Sequence, residues 1–317
     1  MRYRRLGDSG CQVSVLALGS WLTFGGSVDQ KTTDACVRAA FEGGINLFDT
    51  ADIYAHGAAE TALGRALAPL RRQDLVLATK LFWPMTEAPN DQGLSRKHVM
   101  ESCHASLARL GTEYIDLYQC HRFDPGTPVD ETARAMEDLI RQGKVLYWGV
   151  SVWTAGQITS ACAAADRWGG YRPVSNQPPY SLLERGIEAE IVETSARLGL
   201  SQIVWSPLAQ GLLTGKYRAG SIPKDSRAAD EQRNRFLKPM LTPQNLAFAA
   251  HVAAVAADLS VTPAQLSLAW VLRRPEISAA ILGVTRVEQL RENLAAAELE
   301  LSAETIARLE EGLPAAG

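Results

Sequence analysis

The most constraining feature of this 317-residue chain is a repeated switch between short apolar runs and segments of helical period. The runs fall at residues 15–18, 45–48, 75–78, 114–118, 145–148, 202–205 and 279–282, and a further strand is read at Val174-Ser175-Asn176-Gln177. None alternates apolar with polar residues, so none offers a face to solvent. Continuous apolar strands are buried on both sides, as in a parallel sheet. Helical patterns fill the gaps at 30–42, 58–68, 95–109, 130–142, 154–167, 186–198, 243–258 and 263–273, and two more follow from 286 and at 303–311. Gly43-Gly44, Pro69, Gly143 and Gly199 stop four of them. Residues 3–15 read as a hairpin turning at Gly7-Asp8-Ser9-Gly10. The pattern predicts an α/β fold, a (β/α)8 TIM barrel preceded by an N-terminal β-hairpin, with residues 1–317 forming one domain. A doubly wound open sheet is the alternative, but no Gly-x-Gly-x-x-Gly follows the first run.

Composition removes several function classes. The formal net charge of −3 points neither to nucleic acid nor to an acidic membrane surface. The five cysteines are scattered with no Cys-x-x-Cys pair, so neither a disulfide framework nor a metal site is expected. Such usage suits a reducing compartment. The first residues lack the apolar core of a secretory signal. No apolar run reaches the ~20 residues of a membrane helix. The expectation is a soluble, cytoplasmic chain. Gly211-Leu212-Leu213-Thr214-Gly215-Lys216 imitates a phosphate-binding P-loop, but its glycines are one residue too close and Tyr217 replaces the required Ser or Thr.

A barrel of this kind builds its site at the C-terminal ends of its strands. Those ends carry Asp49, Lys80, His121, Ser151, Gln177, Trp205-Ser206 and Gly283, with Tyr54 one short turn beyond Asp49. Asp49-Thr50-Ala51 alone reads equally well as ordinary turn chemistry. Together the residues suggest more. A free tyrosine has a pKa of ~10, and a neighbouring ammonium lowers it. Lys80 could supply that ammonium, Asp49 could hold it charged, and His121 could hydrogen-bond a substrate oxygen. The set suits protonation of a carbonyl oxygen while a hydride arrives at carbon. Lys80 could also form the Schiff base of an aldolase, but Asp49 should keep it protonated.

Five stretches carry a resemblance. They are Gly19-Ser20-Trp21-Leu22-Thr23-Phe24-Gly25-Gly26, Phe48-Asp49-Thr50-Ala51-x-x-Tyr54, Ala78-Thr79-Lys80, Trp205-Ser206-Pro207-Leu208 and Gly283-x-Thr285-x-x-x-Gln289-x-x-x-Asn293. In this order the chain resembles the aldo-keto reductase superfamily. Gly93-Leu94-Ser95-Arg96-Lys97-His98 and Gly215-Lys216-Tyr217 narrow the likeness to the group holding voltage-gated potassium channel β-subunits and their microbial relatives. The resemblance implies a catalytic tetrad of Asp49, Tyr54, Lys80 and His121, where channel β-subunits tend to carry Asn in place of His121. It implies NADPH bound without a Rossmann domain and a small-molecule carbonyl substrate. Ser151 and Gln177 would meet the carboxamide, with Asn176 beside them, and Trp205 would stack on the nicotinamide. Ser206, Pro207, Leu208, Gln210 and Gly211 would follow the pyrophosphate, with Lys216 and Arg227 on the segment folding over it. Gly283, Thr285 and Arg286 open a helix whose start favours phosphate, and Lys216, Arg227 and Arg286 together favour the 2′-phosphate. Gln289, Glu292 and Asn293 would meet the adenine side. Trp21 would border both cofactor and substrate, and Tyr54, Trp83 and His121 would complete an aromatic substrate pocket, with Trp153 a further candidate. The implied function is reversible, NADPH-dependent reduction of aldehydes and ketones. The implied alternative is an NADPH-binding, redox-sensing regulatory subunit with little turnover. The narrower likeness also implies a homo-oligomer, a tetramer or higher.

Overall fold

In the computed structural model, which describes residues 1–217, 228 and 234–313, the apolar runs become parallel strands closed into one eight-stranded barrel. Hairpin strands β1 (Tyr3–Arg5) and β2 (Gln12–Ser14) come first. The barrel strands are β3 (Leu16–Gly19), β4 (Leu47–Asp49), β5 (Val76–Leu81), β6 (Ile115–Cys120), β7 (Val145–Val150), β8 (Ser175–Asn176), β9 (Ser201–Val204) and β10 (Ile277–Leu282). They pair in chain order, and β10 closes the ring between β9 and β3.

Helices α1 (Gln30–Glu42), α2 (Ala58–Leu67), α3 (Arg96–Leu110), α4 (Val129–Arg141), α5 (Ala155–Arg167) and α6 (Ile191–Arg197) each follow one strand. Two helices, α7 (Pro243–Asp258) and α8 (Pro263–Leu272), lie between β9 and β10, and α9 (Val287–Leu294) and α10 (Ala303–Glu311) end the chain. Asp29, Ser95, Thr154 and Thr262 cap their helices by accepting from the amide three residues on. The single helix expected at 186–198 divides into a 3-10 turn at Gly186–Glu188 and α6. The break falls at Glu190, whose φ of −141 lies outside the helical region and interrupts the i to i−4 ladder. Strand β8 is shorter than the strand expected at 174–177, since Pro178 and Pro179 follow, with no N–H to pair. Among the described residues no single helix is long and apolar enough to cross a membrane.

The barrel interior is filled by Ala17, Leu47, Val76, Ala78, Leu117, Ile203, Ala279 and Ile281, together with Leu6 and Val13 of the hairpin. The hairpin closes the end from which the strands start. The Arg4 guanidinium donates to the carbonyls of Leu272 at 2.6 Å, Arg274 at 2.7 Å and Ile277 at 2.5 Å. Gly7 sits at φ +57, where an added Cβ would stand 2.3 Å from the Gly199 carbonyl oxygen. Strand side chains alternate with period two. Counting on by two from the interior residues Leu47, Ala78, Leu117 and Ile203 reaches Asp49, Lys80, Gln119 then His121, and Trp205. The same register that fills the core therefore carries these side chains to the far end of the barrel.

Candidate active site

Lys80 is 0 % exposed, yet its ammonium makes three contacts. Nζ donates to Asp49 Oδ2 at 2.7 Å, to the Thr50 carbonyl at 2.7 Å and to Tyr54 Oη at 3.4 Å. Burial works against its charge, but Asp49 and Tyr54 outweigh that and hold its pKa above that of a free lysine. The other oxygen of Asp49 accepts from Gln177 Nε2 at 2.9 Å. Gln177 also reaches Gln119 Oε1 at 3.4 Å, and the Gln177 carbonyl accepts from Ser151 Oγ at 2.8 Å. Five strand ends, those of β4 to β8, are thus tied through one hydrogen-bonded chain.

The loop after β4 sets Tyr54 against Lys80. The amides of Thr50 and Asp52 continue the ladder to Ala78 and Lys80 of β5, at 2.9 and 3.1 Å. Tyr54 then starts a 3-10 turn containing Ala55 and His56, both at φ +49. Non-glycine residues seldom adopt that left-handed backbone, and it recurs where a functional geometry is enforced. The Tyr54 pKa departs from the expectation of a lowered value. Burial raises it, Lys80 opposes, and burial prevails, so the phenol stands above its ordinary value. His121 lies beside it, with ring centroids 5.7 Å apart. Burial, then the charges of Lys80 and Arg122, push the His121 pKa well below 6.5, so the ring is neutral. Its Nδ1 and Gln119 Nε2 are buried without a hydrogen-bond partner among the described residues.

An aromatic rim surrounds this centre. Trp21 stands edge-on to Trp205 with centroids 6.0 Å apart and 5.2 Å from Phe236. Trp83, 37 % exposed, lies 6.3 Å from His121. Trp153 does not belong here: it is 1 % exposed and packs on Phe123, because its strand-end loop turns into the helix layer. Asn176 also faces away, since it alternates with Gln177 along β8, and it donates to Gln202 Oε1 at 3.0 Å.

Beyond β9 the backbone passes through left-handed conformations at Ser206, Ala209, Gln210 and Gly211. Pro207 and Leu208 lie within this turn, and Gln210 Nε2 donates to Ser206 Oγ. A Cβ added to Gly211 would lie 3.4 Å from Lys216 Nζ, so the ammonium sits against the turn. Concave turns of this kind gather N–H groups that suit an anion. On the neighbouring β10, Gly283 leads to Thr285, whose N–H and hydroxyl both donate to Gln289 Oε1, at 2.9 and 3.2 Å. Arg286 precedes α9 and is exposed with Glu292, whereas Asn293 is buried. Arg227 lies outside the described residues.

Three participants are not evident from motifs. Gln119 sits inside strand β6, one residue past the apolar run at 114–118, and only the period-two count from Leu117 could have found it. Arg122, next to His121, had no partner in sequence to mark it. Phe236 reaches Trp21 from more than two hundred residues away, and no local pattern signals that contact.

The family model for the aldo/keto reductase family matches residues 15–313. The chain is 43% identical over 302 residues to the probable voltage-gated potassium channel subunit beta of Arabidopsis thaliana, covering 94% of this chain and 92% of that protein. The similarly named rice (Oryza sativa subsp. japonica) protein matches with the same identity and coverage, 43%, 94% and 92%. The putative voltage-gated potassium channel subunit beta of Schizosaccharomyces pombe is 40% identical over 319 residues, covering 98% of this chain and 92% of that protein. With a matching barrel and a family match spanning nearly its whole length, the chain belongs to the aldo/keto reductase family.

Proposed function

We propose that the chain reduces aldehydes or ketones to alcohols with NADPH. The observation that carries this reading is the Lys80 ammonium, held at once by Asp49 Oδ2 and Tyr54 Oη beside a neutral His121. The bound cofactor supplies the hydride; the residues supply everything the carbonyl oxygen needs. Tyr54 stays protonated across neutral pH because its pKa is raised, and that is the form a donor must have. As the proton leaves for the carbonyl oxygen, the positive charge of Lys80 stabilises the phenolate left behind. Asp49 keeps Lys80 charged and aimed. The neutral His121 offers one N–H to the same carbonyl oxygen, which fixes it beside Tyr54.

The residues fit a nicotinamide dinucleotide. The unpartnered His121 Nδ1 and Gln119 Nε2 are polar atoms that a bound polar ring can satisfy. Ser151 and Gln177 would meet its carboxamide, and Trp205 would offer a flat face to the ring. The turn at Ser206–Gly211 with Lys216 would hold the pyrophosphate, and the start of α9 would hold the adenosine end. Lys216 and Arg286, with Arg227, favour NADPH over NADH.

A second reading has its own support in the relatives, which are named as probable or putative voltage-gated potassium channel subunits beta. In it the chain binds NADPH tightly and regulates a partner. Steady-state NADPH oxidation against aromatic, aliphatic and sugar aldehydes separates the two. The reductase reading expects sustained multiple turnover with at least one class. A single turnover followed by arrest contradicts it and favours the regulatory reading.

A further inference from the structure

Arg122 follows His121 at the end of β6 and is only partly exposed. Its guanidinium carbon stands 5.7 Å from the centroid of the Trp83 ring, the same ring that lies 6.3 Å from His121. Nη1 donates to the His121 carbonyl at 2.5 Å. A guanidinium has five N–H donors, and among the described residues this is the single hydrogen bond it makes. No carboxylate among those residues pairs with it.

The other arginines held against the body are treated differently. Arg72 faces Asp116, Arg109 faces Glu60, and Arg273 faces Glu188 and Glu310. Arg4 lacks a carboxylate but fills its donors with three carbonyls. Charge at the active centre is likewise unbalanced. Lys80 is neutralised by Asp49 and His121 is neutral, so Arg122 adds an unpaired positive charge on the side of the centre where Trp83 borders His121. Its charge reaches the Tyr54 phenol. A partly desolvated, unsaturated guanidinium lying by an aromatic ring is a fork for a planar or tetrahedral anion.

We propose that Arg122 is a specificity residue that binds a carboxylate or phosphate group carried by the carbonyl substrate, so that the chain favours anionic aldehydes or ketones over neutral ones. This rests on the reductase reading, with the carbonyl between Tyr54 and His121. The anion then lies toward Trp83, and its contact with the guanidinium lowers KM.

The test compares kcat/KM within two pairs: 4-carboxybenzaldehyde against its methyl ester, and glycolaldehyde phosphate against glycolaldehyde. The wild type is expected to favour the anionic member of at least one pair by about tenfold or more, the size of a charge-assisted hydrogen bond. The pair that shows the preference identifies carboxylate or phosphate as the group recognised. In Arg122→Leu the ratio falls close to one, chiefly through KM of the anionic member, and Arg122→Lys recovers part of it. A wild-type ratio near one in both pairs, or a ratio that survives Arg122→Leu, overturns the inference. So does an equal loss of NADPH affinity in Arg122→Leu, which would assign the guanidinium to the cofactor. If the wild type turns over none of the four, the reductase reading fails separately. Calorimetric titration with benzoate and with inorganic phosphate then decides about Arg122. About tenfold weaker binding of either anion in Arg122→Leu upholds the anion site, and unchanged binding of both removes it.

Discussion

Lys80 holds an ammonium with no surface in water, and the cost of that desolvation sets what its neighbours must do. Asp49 and the Thr50 carbonyl offset it by direct bonds. Lys80→Met is therefore expected to leave Asp49 as an uncompensated buried charge and to destabilise the fold by about 3–5 kcal/mol. Urea unfolding of the variant measures this; an unchanged midpoint would mean that Asp49 is not held as a charge by Lys80. His121 gives a pH signature. Its folded pKa lies well below its unfolded value of 6.5, so the unfolded chain binds more protons in that range. The neutral ring's contribution is present above 6.5 and is lost as pH falls from there to the folded value. Between pH 7 and pH 5 the Tm of the wild type should fall further than that of His121→Asn. Parallel Tm curves would show that His121 does not titrate this way. Asp49, Lys80 and His121 were legible because each is a titratable residue shortly after an apolar run. Gln119 was not, because a neutral amide at the tail of a strand acquires meaning only from the barrel register. Nor was the Tyr54 pKa: a motif names the charge beside the phenol, and not the burial that outweighs it.

The element that aims Tyr54 is the loop from β4 to α2, and its buried acid is Asp52. Asp52 Oδ1 accepts from the Ile53 amide at 2.6 Å and Oδ2 from Ser102 Oγ at 3.0 Å. Burial, reinforced by Glu60, pushes its pKa up to about 7. A raised folded pKa contributes stability below the unfolded value of 3.8, and that contribution is lost as pH rises through 7. Asp52→Asn keeps an acceptor for Ile53 and carries no charge. It should raise stability at pH 8, by at most about 4 kcal/mol, and change it little at pH 3. Differential scanning calorimetry at both pH values checks this, and an equal effect at both would exclude the buried charge as the cause. At this scale the sequence defined helix and strand identities well, since the short apolar runs are continuous and the stop signals between them strong. Long-range packing was hidden: Trp153 stood in a strand-end loop like Trp83, and only the fold distinguishes the one packed on Phe123 from the one beside His121.

Over the whole molecule, the two ends of the barrel divide stability from chemistry, as expected for this architecture. The hairpin seals one end through Arg4 and Gly7, far along the strands from Lys80. Gly7→Ala should cost about 1–3 kcal/mol for its left-handed backbone, and more from the contact with Gly199. KM for cofactor and substrate should not change. A shifted KM at unchanged stability would contradict this division. The barrel itself was readable because both-sided burial leaves continuous apolar strands, which few other architectures tolerate. The central claim is that the Asp49–Lys80–Tyr54 unit delivers a proton to a carbonyl oxygen. Its most direct test pairs two readouts on Tyr54→Phe: kcat for an aldehyde that the wild type turns over, and the NADPH dissociation constant by fluorescence titration. The account predicts a fall in kcat of about 10²–10⁴-fold with NADPH binding nearly unchanged; reduction at the wild-type rate would contradict it.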